Sequence, residues 1–245
     1  MKGAILLSTL LIATTVSTFA HAQLDTRHQD CGLGDVAACF SLEFGRCADP
    51  NPRLAITACT RQLVVQDNRV NPGNLSADRA VRYALRGNAY VKRGDIDRAL
   101  SDYDRAIASD RSAFWIQMTR ANAYFLSGNN EEALHSFDAA ANLSPDSVDA
   151  LIYRALILAA ASEEELREPA LALTDAQRVD ELTPGQPAYI DVLAVAYAAN
   201  GEFEKAAQEA QRAIDLLPVR EQAPMDDFRS RLDLYAQGLP FLMDP

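Results

Sequence analysis

The sequence predicts an all-α fold in which helices pack in consecutive pairs. Alanine accounts for 42 of the 245 residues, against 11 glycines and 11 prolines, so the composition favours helices over a turn-rich β fold. Hydrophobic residues make up 49% of the chain, which is enough to bury a core and too much for intrinsic disorder. Small, aromatic and helix-ending residues also recur at a fixed interval, which is typical of an α/α solenoid.

Residues 1–22 are predicted to be a signal peptide. Lys2 supplies a positive start, Ala4–Phe19 is apolar, and Ala20 and Ala22 are the small residues that a signal peptidase reads before Gln23. No later apolar run reaches the roughly 20 residues that a membrane-spanning helix needs. We therefore expect a periplasmic or secreted chain that is cleaved after Ala22 and does not insert into a membrane afterwards.

Residues 23–67 are predicted to form a cysteine-containing helical cap, with helices near 36–45 and 53–66. All four cysteines lie here, and an even count in an exported segment indicates two disulfides. The pairing Cys31–Cys47 would have to bridge opposite ends of the first helix, so we favour the local pairs Cys31–Cys39 and Cys47–Cys59. The connectivity stays open. The spacings of eight and twelve residues do not match a zinc site, which is the alternative.

A linker over 68–79, which contains Asn71-Pro72-Gly73-Asn74, is predicted to connect the cap to a repeat array. When the chain is shifted by 34 residues, nine positions align with identical residues. In the first copy these positions are Arg86, Asn88, Ala89, Tyr90, Gly94, Ala99, Leu100, Asp104 and Ala106.

This pattern resembles the tetratricopeptide repeat, a helix–turn–helix unit with a period of 34 residues. The resemblance divides residues 80–220 into four units, at 80–113, 114–147, 148–186 and 187–220. The third unit carries five extra residues between its two helices, around Ser162–Glu168. Residues 221–245 are predicted to form a C-terminal capping helix, near 225–237, and a tail.

The resemblance implies a protein-interaction scaffold that binds an unidentified protein or peptide in a concave groove lined by the first helix of each unit. The corresponding groove residues are Asn88, Lys92, Trp115, Met118, Asn122, Phe125, Ile152, Leu156, Asp191 and Val195. Chaperone-type partners are disfavoured, because Ala84, Asp149 and Tyr153 stand where the family's carboxylate-binding members need basic residues. The oligomeric state is not predicted.

Two sets of groove-side polar residues have competing interpretations. Asn88 and Asn122 occupy one repeat position, and they either hydrogen-bond a ligand backbone or tie neighbouring helices together. Arg86, Arg120 and Arg154 occupy another, usually Leu; we expect them to pair with Asp102 or Asp175 on a facing helix rather than to bind an anionic ligand. Trp115 is a candidate ligand anchor or a core residue.

No catalytic residue, cofactor or metal site is predicted, so we expect a protein that is not an enzyme. Only His28 and His135 remain after signal removal, and the common nucleophile, nucleotide and zinc motifs are missing. The acidic run Glu163–Glu165 is expected to be solvated, with cation binding as the alternative. The net charge of −11 disfavours nucleic acid and anionic lipid as partners.

An enzyme is nevertheless the alternative function. The spacing Cys31-x7-Cys39 resembles the Sel-like α/α repeats, and that weaker resemblance implies a cell-wall-interacting or penicillin-recognising protein.

Overall fold

The computed structural model describes residues 46–67, 75–218 and 222–243, and these ranges contain helices but no strand. The predicted signal peptide, the helix near 36–45 and the pair Cys31–Cys39 lie outside the described residues. The described chain divides into two compact units, one ending at Ser127 and the other beginning at Gly128.

The described part of the N-terminal unit has four complete helices. They are α1 (Pro52–Asp67), α2 (Leu75–Val91), α3 (Ile96–Ser109) and α4 (Phe114–Leu126). Because α2 begins at Leu75, the last residues of the expected linker 68–79 are helical. The predicted disulfide Cys47–Cys59 is present, with 5.0 Å between the Cα atoms, and its buried cysteines pack against Leu85 of α2.

Small residues on α2 and α3 allow these two helices to pack closely as a pair. Ala84, Ala99 and Ala106 are fully buried, and Tyr103 fills the space beside them. A Cβ atom at Gly87 would lie only 2.7 Å from Cε1 of Tyr103. Glycine at this position is therefore required by the close approach of the two helices.

The C-terminal unit contains six α-helices and one short 3-10 helix. They are α5 (Asn130–Leu143), α6 (Val148–Ala160), the 3-10 helix Glu164–Leu166, α7 (Pro169–Leu182), α8 (Pro187–Ala199), α9 (Phe203–Leu216) and α10 (Gln222–Ala236). Its largest core lies between α6, α7 and α8, whose buried residues are mainly Ala, Leu, Val and Ile. Helix α10 covers α9 and buries Phe228 and Tyr235, as expected for a capping helix.

The turns inside the first and fourth helix pairs are closed by the same hydrogen bond. Asp95 N–H donates to the carbonyl of Tyr90, and Glu202 N–H donates to the carbonyl of Tyr197, both at 3.0 Å. In each turn a glycine with a φ near +75° follows the helix, a conformation that costs glycine least.

The third repeat makes the same bond across a longer turn. Here Glu168 N–H donates to the carbonyl of Leu158 at 2.9 Å, although ten residues separate the pair instead of five. The five-residue insertion is thus confirmed, and it loops out through the 3-10 helix Glu164–Leu166 without changing how the helix pair closes.

Candidate functional site

In each unit, the candidate site is the face formed by the first helices of its repeats, which we call the first-helix face. These helices are α2 and α4 in the N-terminal unit, and α6 and α8 in the C-terminal unit.

On α2, the Asn88 side chain is tied to the neighbouring helix. The Tyr103 hydroxyl of α3 donates a hydrogen bond to Oδ1 of Asn88, at 2.6 Å. Burial, reinforced by the charge of Asp102, raises the pKa of Tyr103, so the hydroxyl stays protonated and remains a donor. The Asn88 amide oxygen therefore serves as a link between helices, which was the alternative to the groove interpretation.

Asn122 stands at the same repeat position on α4 but lacks this link. Only 7% of the residue is exposed, and its Oδ1 atom accepts no hydrogen bond within the part of the chain that the structure describes. The repeat position of Tyr103 is taken by Phe137 in the next repeat, and phenylalanine has no hydroxyl to donate. A buried amide oxygen without a donor costs about 1–3 kcal/mol.

The other predicted groove residues of the N-terminal unit differ in accessibility. Lys92 is exposed at the end of α2, whereas Met118 is buried. Trp115 is half-buried and packs against the core of α2, α3 and α4, so part of its ring contributes to that core. Phe125 is half-buried near the end of α4.

On α6 and α8, the predicted groove residues are largely covered. Ile152 and Val195 belong to the core of the C-terminal unit, and Leu156 packs against it. Asp191 is 3% exposed and forms an ion pair with Arg231 of α10, with 2.6 Å between Oδ2 and Nη2. The aspartate therefore serves to hold the capping helix over α8. Groove binding by these residues stays a prediction.

The arginine column pairs with aspartates, as expected. Arg86 makes a two-pronged ion pair with Asp102, at 2.7 Å for both contacts. Arg154 pairs in the same way with Asp175, at 2.7 and 2.8 Å. Hydrogen bonds that the guanidinium groups donate to these carboxylates raise the pKa of both arginines, so the charges are paired within the protein.

Arg120 has a different set of contacts. Its guanidinium lies 3.1 Å from Asp104 of α3 and also donates to Oε1 of Gln117. The repeat position of Asp102 and Asp175 is occupied by Ser136 in this repeat, which breaks the aspartate series.

The sequence placed Asp149 on the groove side of α6 but did not predict that its carboxyl group is partly buried near two tyrosines. Burial raises the pKa of the Asp149 carboxyl group, and burial together with Asp149 raises the pKa of both Tyr153 and Tyr189. These residues lie 4 and 40 positions from Asp149. The i, i+4 spacing of Asp149 and Tyr153 on one helix was the only sequence signal available.

The acidic run of the long turn is partly engaged. Glu163 accepts a hydrogen bond from Nδ2 of Asn130 at 3.0 Å, and this bond lowers the pKa of the glutamate. Glu164 lies 3.7 Å from Arg167. Within the described residues, no group of three or more His, Cys, Asp or Glu side chains is arranged to hold a metal ion.

Comparison with known proteins identifies the repeats. A family model of the tetratricopeptide repeat matches residues 85–146 and 118–187. Residues 85–187 therefore match the tetratricopeptide repeat. Helices α3 through α7 lie within the matched residues, as does the last part of α2, and the pairing of α8 with α9 continues the repeat beyond them.

Several solved structures share this fold at low sequence identity. A structure titled MamA MSR-1 C2 is 17% identical, with a TM-score of 0.57, over 72% of this chain and 93% of that chain. MamA from Desulfovibrio magneticus RS-1 is 20% identical, with a TM-score of 0.54, over 66% and 89%. YrrB, described as a TPR protein with an unusual peptide-binding site, is 20% identical, with a TM-score of 0.56, over 79% and 98%.

No curated protein matches the sequence. Among the described helices, none combines the length and the apolar character needed to cross a membrane.

Proposed function

We propose that this tetratricopeptide-repeat chain is a non-catalytic scaffold that binds an extended segment of a partner protein on its first-helix face. The repeat fold and its structural neighbours support a protein-interaction role. The choice of face and of a backbone ligand rests on the chemistry of α4.

Asn122 carries this proposal. Its buried Oδ1 lacks a donor among the described residues, whereas the equivalent atom of Asn88 has the Tyr103 hydroxyl. The backbone N–H of a bound peptide supplies the missing donor, and the Asn122 amide nitrogen can donate in return. Trp115 and Phe125 on the same helix are only half-buried, so they offer apolar contact area to the same ligand.

We also propose that the protein functions in the bacterial periplasm. The support comes from the signal-peptide pattern of residues 1–22 and from the disulfide Cys47–Cys59, which is favoured in an oxidising compartment. The acidic net charge disfavours nucleic acid as the partner.

The test is in-envelope crosslinking followed by purification of the wild type and two variants. Asn122→Ala removes the orphaned acceptor, and Asn142→Ala on α5 is the matched control because Asn142 is exposed. We expect a partner that is recovered with the wild type and Asn142→Ala but lost with Asn122→Ala. Equal recovery with both variants would move the binding surface away from α4.

The non-catalytic part of the proposal needs a separate assay. Purified protein is incubated with nitrocefin and with muropeptides, the substrates of the alternative penicillin-recognising or wall-acting enzyme. A scaffold gives no turnover above a buffer control. Protein-dependent hydrolysis would replace the scaffold proposal with the enzyme alternative.

A further inference from the structure

Helix α10 ends in the same way as the first helices of the first and fourth repeats. Leu239 N–H donates to the carbonyl of Leu234 at 3.0 Å, and Gly238 has a φ of +70°. The corresponding bonds join Asp95 to Tyr90 and Glu202 to Tyr197, and Gly94 and Gly201 have the same conformation. The chain then continues as the non-helical residues 239–243, which we call the C-terminal tail.

The C-terminal tail packs back onto the first-helix face. Met243 N–H donates to the carbonyl of Ala160 at 2.7 Å, which satisfies one of the free carbonyls at the end of α6. Phe241 and Met243 pack against the core of α6, α7 and α8, whereas Leu239 and Leu242 are 47% and 44% exposed. Phe241 also lies beneath the Arg231 guanidinium, with 5.2 Å to the ring centroid.

The end of α6 is shaped for a close neighbour. Residues 157–161 are all buried, and the last three of them are alanines. The repeat positions of Ala160 and Ala161 are held in the second repeat by Leu126, the last residue of α4, and by Ser127 after it. Both are exposed. The alanine methyl groups leave room for the backbone of the tail to approach the backbone of the helix, as its 2.7 Å hydrogen bond requires.

We propose that the C-terminal tail is an intramolecular occupant of the binding face on α6 and α8, and that a partner segment must displace it. This inference rests on the proposed function, because it assumes that first helices bind extended segments. It also specifies the ligand class: an extended apolar segment with an aromatic residue and, two positions later, a second apolar residue whose backbone N–H reaches Ala160.

The covalent connection to α10 explains why the tail competes strongly with a partner segment. It follows α10 directly, and Arg231 holds α10 on α8 through the buried ion pair with Asp191. A segment attached by so short a connection has an effective concentration on the order of millimolar at its site. A free peptide of the same sequence therefore binds the intact chain much more weakly than a chain whose tail has been removed.

The experiment uses a fluorescein-labelled peptide with the sequence of residues 238–243 and measures its fluorescence anisotropy. The proteins are the full chain and a truncated chain ending at Gln237, whose folding is checked by circular dichroism. We expect the truncated chain to bind the peptide at least about tenfold more tightly than the full chain. A peptide with Phe241→Ala should lose this binding, and one with Leu242→Ala, at an exposed position, should keep it.

If the truncated chain fails to fold, a second set of variants tests the same inference in the full chain. In the full chain, Phe241→Ala/Met243→Ala should open the site, so that the labelled peptide binds at least about tenfold more tightly than to the Leu242→Ala control. Hydrogen exchange at the amide of residue 243 should be slow in the wild type and in Leu242→Ala, and fast in the double variant.

Two outcomes overturn the inference: a folded tail-free or double-variant chain that does not bind the peptide, or equal binding to these chains and to the full chain. The Asn122 crosslinking result is independent of both outcomes, since Asn122 lies on α4. Failure of the tail experiment alongside loss of the partner in Asn122→Ala would leave the proposed function standing and remove only the displacement step.

Discussion

At the scale of single residues, the same side chain has different roles in successive repeats. Asn88 accepts a hydrogen bond from Tyr103, whereas Asn122 has no donor among the described residues. Phe137 stands at the repeat position of Tyr103, so the second repeat has no tyrosine hydroxyl at that position. The same asparagine is therefore a link between helices in one repeat and an amide oxygen without a donor among the described residues in the other.

Replacing Tyr103 by Phe should reproduce that difference in the first repeat. The substitution removes the hydroxyl donor, so Oδ1 of the half-buried Asn88 loses its hydrogen bond. This loss should lower the free energy of unfolding by about 1 kcal/mol. Urea denaturation measures the change. Tyr83→Phe is the control, because its half-buried ring stays in place, and should fall within about 0.5 kcal/mol of the wild type. An equal effect of both substitutions would contradict the assigned bond.

Removing the Asp102 carboxylate should be more costly. The side chains of Arg86 and Asp102 are only 12% and 4% exposed, and they are joined by two short contacts. Asp102→Ala leaves the arginine charge partly buried without this partner, so the free energy of unfolding should fall by about 3 kcal/mol. In a double-mutant cycle, Arg86→Leu/Asp102→Ala should recover most of this loss. Additive losses would show that the pair is not coupled.

At the scale of helices, each pair depends on small residues where its two helices cross. Alanine or glycine occupies these positions, and the bulk is supplied by aromatic side chains beside them. This division of volume permits a close interaxial distance, and it makes the crossing positions sensitive to added atoms.

Gly87→Ala tests this sensitivity, because two effects of opposite sign compete. Alanine favours a helix interior over glycine by about 1 kcal/mol. The new Cβ would, however, lie 2.7 Å from the Tyr103 ring, which is fully buried and held by its hydroxyl. We expect the steric term to dominate, with a net loss of about 1–2 kcal/mol in thermal unfolding. Ser101→Ala on the exposed side of α3 is the control, and a stabilised Gly87→Ala protein would contradict the crossing geometry.

At the scale of the whole molecule, the repeats lie between a disulfide-linked N-terminal helix and a C-terminal helix that ends in the tail. Cys47 and Cys59 pack with Leu85 of the first repeat. At the other end, Phe228 and Tyr235 of α10 are buried against α8 and α9 of the last repeat. Repeat proteins need such terminal elements, because the outermost repeat has no neighbour to cover its apolar face.

At this scale we predict how the chain is processed and oxidised after synthesis. Expressed with residues 1–22 in a Gram-negative host, the protein should be recovered from the periplasm with Gln23 as its first residue. Its Cys47–Cys59 pair should be oxidised. N-terminal sequencing and peptide mass spectrometry of the unreduced protein measure both. A chain recovered from the cytoplasm with Met1 intact would contradict the export proposal, and a variant with Lys2→Glu serves as the targeting control.

Much of the architecture follows from local patterns, because the features of a repeat are encoded at fixed short spacings. The glycine turns, the small residues at helix crossings and the five-residue insertion before Glu168 could all be predicted in this way. Each depends on backbone conformation or side-chain size within a helix pair. The pairing of Cys47 with Cys59 was likewise predicted from the positions of neighbouring helices.

The state of the candidate site was decided by contacts that do not recur with the repeat. The partner of Asp191 is Arg231, 40 residues away on the capping helix, and the partner of the Ala160 carbonyl is the Met243 amide. Residue spacing does not encode such contacts, because they depend on where the chain returns after its last repeat. Only the folded structure therefore shows which polar groups of the first-helix face already have partners and which, like Oδ1 of Asn122, have none among the described residues.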